Sequence, residues 1–200
     1  MYLYGASGHG KVIAEIAEEL GIVIDGFIDG NPELKSLLNY PIVGATAENI
    51  EGKACISIGN NKVRKLIANR DSHLDYIALL SSKANISKRA KIGIGTVVMM
   101  GSTINSEVVI GKHCIINTNA SVDHDCSISD FVHISPNVAL AGNVEVGEGT
   151  HIGIGAAVIQ GVKIGKWCTI GAGAVIIKDV PDYAVVVGNP GKIIKYTNQK

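Results

Sequence analysis

Six histidines, His9, His73, His113, His124, His133 and His151, are the side chains of this 200-residue sequence best suited to moving a proton near neutral pH. His124 stands between two carboxylates, Asp123 and Asp125. Either could orient the imidazole and raise its basicity, as the acid does in hydrolytic triads. Such a pair could take the proton of an attacking amine or hydroxyl, provided the charge that develops is steadied by nearby donors. A second concentration of chemistry is Gly5-Ala6-Ser7-Gly8-His9-Gly10. Placed between a strand and a helix, this loop offers backbone N–H groups to a phosphate, although its G-x-x-G-x-G form is neither the dinucleotide fingerprint nor a Walker loop. Cys55, Cys114, Cys126 and Cys168 show no C-x-x-C pair and read as buried thiols in a reducing compartment.

The elements that must position these residues divide at about residue 82. From Ile86 an aliphatic residue recurs every six positions through Ile92, Val98 and Ile104 to Ile176, sixteen times without a slip. Two residues before each stands a small or β-branched residue such as Thr96, Cys114, Cys126, Thr150 or Cys168, and alternation points both to one side of a short strand. Gly93, Gly111, Gly147, Gly153, Gly165 and Gly171 follow the aliphatic residue, which marks a tight corner where a side chain would be crowded. Three corners close a triangle, so 18 residues make one coil of a parallel β-helix of just over five coils. His124, two residues after the core residue Val122, falls at a corner. Gly142 lies one coil further on, where a missing side chain leaves room for a ligand to approach and the backbone N–H to donate. His133 and His151 share an outward column, one coil apart. His73 and His113 read as surface residues.

Before Ile86 the chain alternates strands and helices. Tyr2 to Tyr4, Ile22 to Ile28, Ala54 to Ile58 and Tyr76 to Leu80 read as strands, Lys11 to Leu20 and Lys62 to Ala68 as helices, with Gly21 capping the first. Parallel strands joined by helices are the economical assembly, a Rossmann-like α/β unit. Its ligand edge would gather the glycine loop, Asp29 and Gly59-Asn60-Asn61. Eighteen basic and eighteen acidic residues give zero formal net charge, which argues against recruitment by nucleic acid or anionic lipid. The N-terminus lacks the basic and apolar regions of a secretory leader, and no apolar run approaches the ~18 residues that cross a bilayer. A cytoplasmic protein is expected.

Gly-Ala-Ser-Gly-His-Gly-Lys at 5 to 11, Phe27-Ile28-Asp29, Ile58-Gly59-Asn60-Asn61 with Val63-Arg64-Lys65, and then an unbroken hexapeptide helix resemble the PglD/NeuD family of bacterial sugar acetyltransferases along nearly the whole chain. The resemblance implies that the β-helix is left-handed and the protein a homotrimer with intersubunit active sites. Residues 1–82 would hold a nucleotide-linked sugar and residues 83–200 acetyl-CoA, without a metal. It further implies His124 as general base with Asp125 orienting it, and Gly8, His9, Asp29 and Asn60 at the nucleotide sugar. His133, Gly142, Gly155, Gly173, Gly188, Pro190 and Lys192 would lie at acetyl-CoA, where Lys178-Asp179-Val180-Pro181 and Val187-Gly188-Asn189-Pro190-Gly191-Lys192 resemble the family's C-terminal segment. The implied activity is acetylation of an amino sugar in bacterial glycan synthesis. Alternatives are O-acetylation of sialic acid or a related sugar, a zinc site built from stacked histidines as in γ-class carbonic anhydrases, and a non-catalytic sugar-nucleotide-binding trimer.

Overall fold

The computed structural model describes residues 1–197, in which a small α/β unit packs on one face of a long parallel β-helix. The last three residues of the unit expected over 83–200 lie outside the described residues. Strands β1 (Tyr2–Tyr4), β2 (Gly26–Ile28), β3 (Ser36–Leu37), β4 (Tyr40–Gly44), β5 (Lys53–Ile56) and β6 (Asp75–Tyr76) form one sheet in the order 3-4-2-1-5-6. All its pairings are parallel except β3 with β4. Helix α1 (Gly8–Glu19) starts three residues before the expected Lys11, so Gly8-His9-Gly10 is its first turn. Gly10 is required there, because a Cβ would stand 2.5 Å from the Gly5 carbonyl. At the other end Gly21 is left-handed, with Gly21 N–H bonded to Glu18 O and Ile22 N–H to Ala17 O, the Schellman arrangement. That capture of Ile22 is why β2 begins only at Gly26 rather than at Ile22. Helix α2 (Asn61–Arg70) is capped by the Asn60 side chain, which accepts from Val63 N–H at 3.1 Å.

The segment Tyr76 to Leu80 is two strands, not one. Asp75–Tyr76 closes the sheet, while β7 (Leu79–Leu80) is the first strand of the β-helix, so the six-residue period starts one hexad before Ile86. Each later hexad contributes a two-residue strand that pairs in parallel with its neighbour 18 residues away, as Ile115 with His133 and His133 with His151. The aliphatic and small columns fill one continuous core from Val98 to Val186. The small column has a polar reason as well. Thr96, Ser102 and Thr150 hydroxyls donate to Gly111, Asn117 and Gly165 carbonyls at 2.7 to 2.8 Å, and Cys114 and Cys126 thiols to Ser129 and Ala141 carbonyls. Buried corner carbonyls thereby find partners inside the coil. All four cysteines are free and buried.

The glycines after the aliphatic position are crowded as expected, a Cβ on Gly93 lying 2.5 Å from the Gly111 carbonyl. The left-handed residue lies two positions later, as at Gly95, His113, Phe131, Gly149 and Trp167 along one corner. One face carries the outward column Leu79, Val97, Ile115, His133, His151, Thr169. Its first three members pack with Ile13, Ile16 and Ala17 of α1 in a single apolar cluster. This burial docks the α/β unit and brings the loops at its strand ends over the histidines that follow.

Candidate active site

His124 sits at an exposed corner, with 59 % of its side chain accessible. Its Nδ1 lies 2.8 Å from Asp125 Oδ2, and the adjacent Asp123 receives the His124 N–H and the Asn105 amide. The Asp125 bond, and then the Asp123 charge, hold the His124 pKa above its ordinary value. With Nδ1 donating to the carboxylate, Nε2 presents a lone pair to a cleft of about 400 Å³ lined by Asp123, Ala141, Gly142, Gln160 and Gly161. Gly142 has a more direct duty than the open approach expected from sequence: the His124 ring lies over it, 2.6 Å from where a Cβ would stand. At the equivalent corner position, Lys112 and Lys166 N–H groups hold the Asp130 and Asp182 carboxylates at 2.7 and 2.9 Å. The Gly142 N–H has no such partner among the described residues.

From this corner runs a face of small outward residues, Ser121, Ala139, Ala157 and Val175. Gly155 and Gly173 line its opposite edge, each left-handed with open space above it. Gly188 closes its far end, its carbonyl accepting from Val175 N–H. Pro190 and Gly191 follow, and Lys192 opens the antiparallel strand Lys192–Tyr196. Gly142, Gly155 and Gly173 thus edge one face of the β-helix, with Gly188 and Pro190 at its far end. His133 does not join them; it lies on the neighbouring face, under the α/β unit.

There His133, only 9 % exposed, stacks on His151 with ring centroids 4.7 Å apart, and His9 approaches from the glycine loop at 6.2 Å. Thr118 N–H fixes the Asn117 amide by donating to its oxygen, so Asn117 Nδ2 donates to His133 Nε2 at 3.1 Å. His133 Nδ1 meets the Gly59 carbonyl at 3.3 Å. The ring is therefore the neutral Nδ1–H tautomer, and neither nitrogen is free to donate to an oxyanion. Burial, then His151, Arg64 and His9, push its pKa down to about 3; burial and Arg64 bring His9 to about 4. His151 is held low by the same causes and meets Ser135 Oγ at 2.8 Å.

Above this stack the strand ends form clefts. One of about 220 Å³ is lined by Gly59, Asn60, Lys62, His151, Trp167 and Thr197; another of about 300 Å³ lies at Asp29, Asn31, Pro32, Ile42 and Gly44. Asp29 is already engaged: Oδ2 accepts from Ala6 N–H at 2.7 Å and Oδ1 from Asn31 N–H at 2.9 Å, so it shapes the glycine loop. Gly8 opens α1, whose N-cap Ser7 makes no side-chain cap, leaving first-turn N–H groups for an anion.

His113 contradicts its expected surface place. It is 5 % exposed, stacked on Phe131 at 5.3 Å and set edge-on to Tyr76 at 4.7 Å, because the α/β unit covers its corner. His73 is exposed, as expected. Trp167 carries no signal in the sequence, and Asn61 and Arg64 stand out there only within longer motifs and not for their burial; the available signal was the apolar outward column at 79, 97 and 115, which marks the covered face. Among the described residues no group of three or more His, Cys, Asp or Glu could hold a metal ion.

A family model described as the PglD N-terminal domain matches residues 1–70, and one for bacterial transferase hexapeptide (six repeats) matches residues 143–178. The structure superposes on PerB from Caulobacter crescentus, solved in complex with CoA and GDP-perosamine, with a TM-score of 0.91 and 35 % identity over 97 % of this chain and 96 % of that one. The acetyltransferase domain of PglB from Neisseria gonorrhoeae FA1090 gives 0.92 and 38 %, covering 96 % and 98 %. A curated relative, an uncharacterised protein of Acanthamoeba polyphaga mimivirus, is 31 % identical over 114 residues, so the match spans 56 % of this chain and 23 % of that protein. With a PglD-type N-terminal domain, hexapeptide repeats and end-to-end likeness to the Caulobacter and gonococcal enzymes, the chain belongs to the PglD-type family of left-handed β-helix sugar acetyltransferases.

Proposed function

We propose that this protein transfers an acetyl group from acetyl-CoA to the amine of a nucleotide-linked amino sugar. The observation that carries the reading is the His124–Asp125 pair set over Gly142, with Nε2 facing a cleft. His124 Nε2 accepts the amine proton as nitrogen attacks the thioester carbon, and Asp125 orients the ring. The Gly142 N–H steadies the oxyanion. As the intermediate collapses, the C–S bond breaks and the imidazolium returns the proton to the CoA thiolate. No covalent acyl-enzyme is needed.

Residues 1–82 take the nucleotide sugar through Gly8, His9 and Asn60, with Asp29 shaping the loop. The β-helix face edged by Gly142, Gly155 and Gly173, with Gly188, Pro190 and Lys192 at its far end, takes acetyl-CoA. His133 and His124 belong to different sides of one protomer, so the sugar loops reach His124 across a subunit boundary, in a homotrimer. Four free thiols suit the reducing cytoplasm. The ligands in the PerB and PglB structures, CoA with GDP-perosamine and acetyl coenzyme A, support this pairing of substrates.

The test is acetyl-CoA turnover, read as thiol release, against UDP-, GDP- and CMP-linked sugars with and without a free amine, beside His124→Ala. Turnover with an amino sugar that falls by roughly 10² to 10⁴ in the variant is expected. Turnover only with hydroxyl acceptors would move the reading to O-acetylation, and silence with retained nucleotide binding to a scaffold.

A further inference from the structure

Arg64 is 1 % exposed, yet no carboxylate touches it. Nε donates to His113 O at 2.7 Å. One terminal nitrogen donates to Ile58 O at 3.0 Å and Gly59 O at 3.3 Å. The other reaches Asn61 Oδ1 and Phe131 O, each at 2.9 Å. All five guanidinium N–H groups are satisfied by neutral oxygens. Asn61, three residues earlier on α2, donates its amide to Gly149 O at 3.0 Å and Thr150 O at 3.3 Å.

His113, Phe131 and Gly149 are the left-handed residues of one corner in three successive coils. Coil-to-coil bonds at that corner use the preceding carbonyl, as in His113 N–H to Ile94 O and Phe131 N–H to Lys112 O. The carbonyls of the left-handed residues themselves point outward, and burial under α2 demands donors for them. The outer two lie two coils apart, about 10 Å at ~4.8 Å per coil; a helix turn carrying Arg64 and Asn61 spans them.

The same fork grips both carbonyls of the Ile58-Gly59 turn, and Gly59 O is also the acceptor for His133 Nδ1. We propose that Arg64, braced by Asn61, is the positioning residue that sets the Gly59–Asn60 loop against the His133–His151 face, and so fixes the nucleotide-sugar cleft relative to the β-helix. The inference rests on the reading of that cleft given above. Lysine keeps the charge but lacks the planar fork and cannot hold two coils and the turn together.

The experiment uses full-length Arg64→Lys and Asn61→Ala. In each, KM for the nucleotide sugar should rise about three- to tenfold, the size of one or two lost hydrogen bonds, with kcat and KM for acetyl-CoA little changed. Independently of any substrate, the His133 Nδ1–H resonance in ¹⁵N-histidine-labelled protein, held by Gly59, should be lost or exchange faster in both variants. A nucleotide-sugar KM at the wild-type value together with a retained Nδ1–H resonance overturns the proposal. So does a fall of kcat and thermal midpoint with both KM values raised alike, which would mark a merely structural role. Absence of turnover in the wild type defeats the activity reading alone, because the histidine resonance still decides the place of Arg64.

Discussion

Substitution of Gly142 by alanine tests the catalytic geometry without touching a catalytic side chain. A Cβ there would stand 2.6 Å from His124 Cε1 and 2.7 Å from Nε2. Ordinary carbon contacts need about 3.5 to 4.0 Å, so the ring must move by about 1 Å or leave its rotamer. Gly142 is buried beneath the ring but is not among the left-handed residues, so alanine brings no backbone strain, and the ring it displaces is 59 % exposed and can swing toward solvent; the effect on stability should stay within about 1 kcal/mol. A displacement of about 1 Å at a reacting group costs about 10²-fold in rate, below the loss from removing the base itself. The assay is thiol release at saturating substrates, with a thermal midpoint beside it and His124→Ala as the lower bound. The displaced ring also loses its 2.8 Å bond to Asp125, the main cause of the raised His124 pKa, so the acidic limb of kcat should move to lower pH. A Gly142→Ala protein with wild-type kcat and an unmoved limb would show that catalysis does not need the ring where the structure has it.

Asp125→Asn removes the charge while keeping an acceptor; kcat should fall about tenfold or more and its acidic limb should shift to lower pH, and a limb that stays put would remove Asp125 as the orienting group. His113 and His133 are buried neutral, with pKa values near 4 and 3, so the unfolded chain binds more protons below its ordinary pKa of about 6.5. Stability should be fully present above that pH and be lost as pH falls toward 4, by up to roughly 3 kcal/mol per pH unit for the two together; denaturant midpoints equal at pH 7 and pH 5 would contradict their burial. Thr150→Val leaves the Gly165 carbonyl and the Cys168 N–H without the partner they find at 2.7 and 3.0 Å, and should cost about 2 kcal/mol in chemical denaturation; a loss under about 0.5 kcal/mol would mean the coil satisfies them another way.

The β-helix was legible because every hexad repeats one local solution, so its period survives any single substitution. The corner place of His124 was legible by the same arithmetic, since it stands two residues after a core position. The α/β unit was harder. Within the first turn of helix α1, Gly10 approaches Gly5 closely, a contact that spacing does not announce, and the hairpin of β3 and β4 is too short to carry a periodicity. His113 and Arg64 were opaque for a different reason. Their burial comes from the docking of one unit on the other, and a residue type that favours solvent says nothing about carbonyls three coils long waiting beneath it. His133 was placed on the right column, but the carbonyl that meets its Nδ1 comes from a loop 74 residues earlier.

Because strands pair at a fixed interval of 18 residues, the β-helix behaves as a screw thread with three positions per turn. Inserting a whole coil advances everything downstream by about 4.8 Å along the axis and leaves every side chain facing as before. Inserting a single hexad advances it by a third of that and turns it through about 120°, carrying His133 and His151 out from under the sugar loops. Distances between the two proposed substrate sites can therefore be altered only in coarse, quantised steps, and the finer adjustment must come from the corners, where one residue such as Gly142 decides how far a ring can lean.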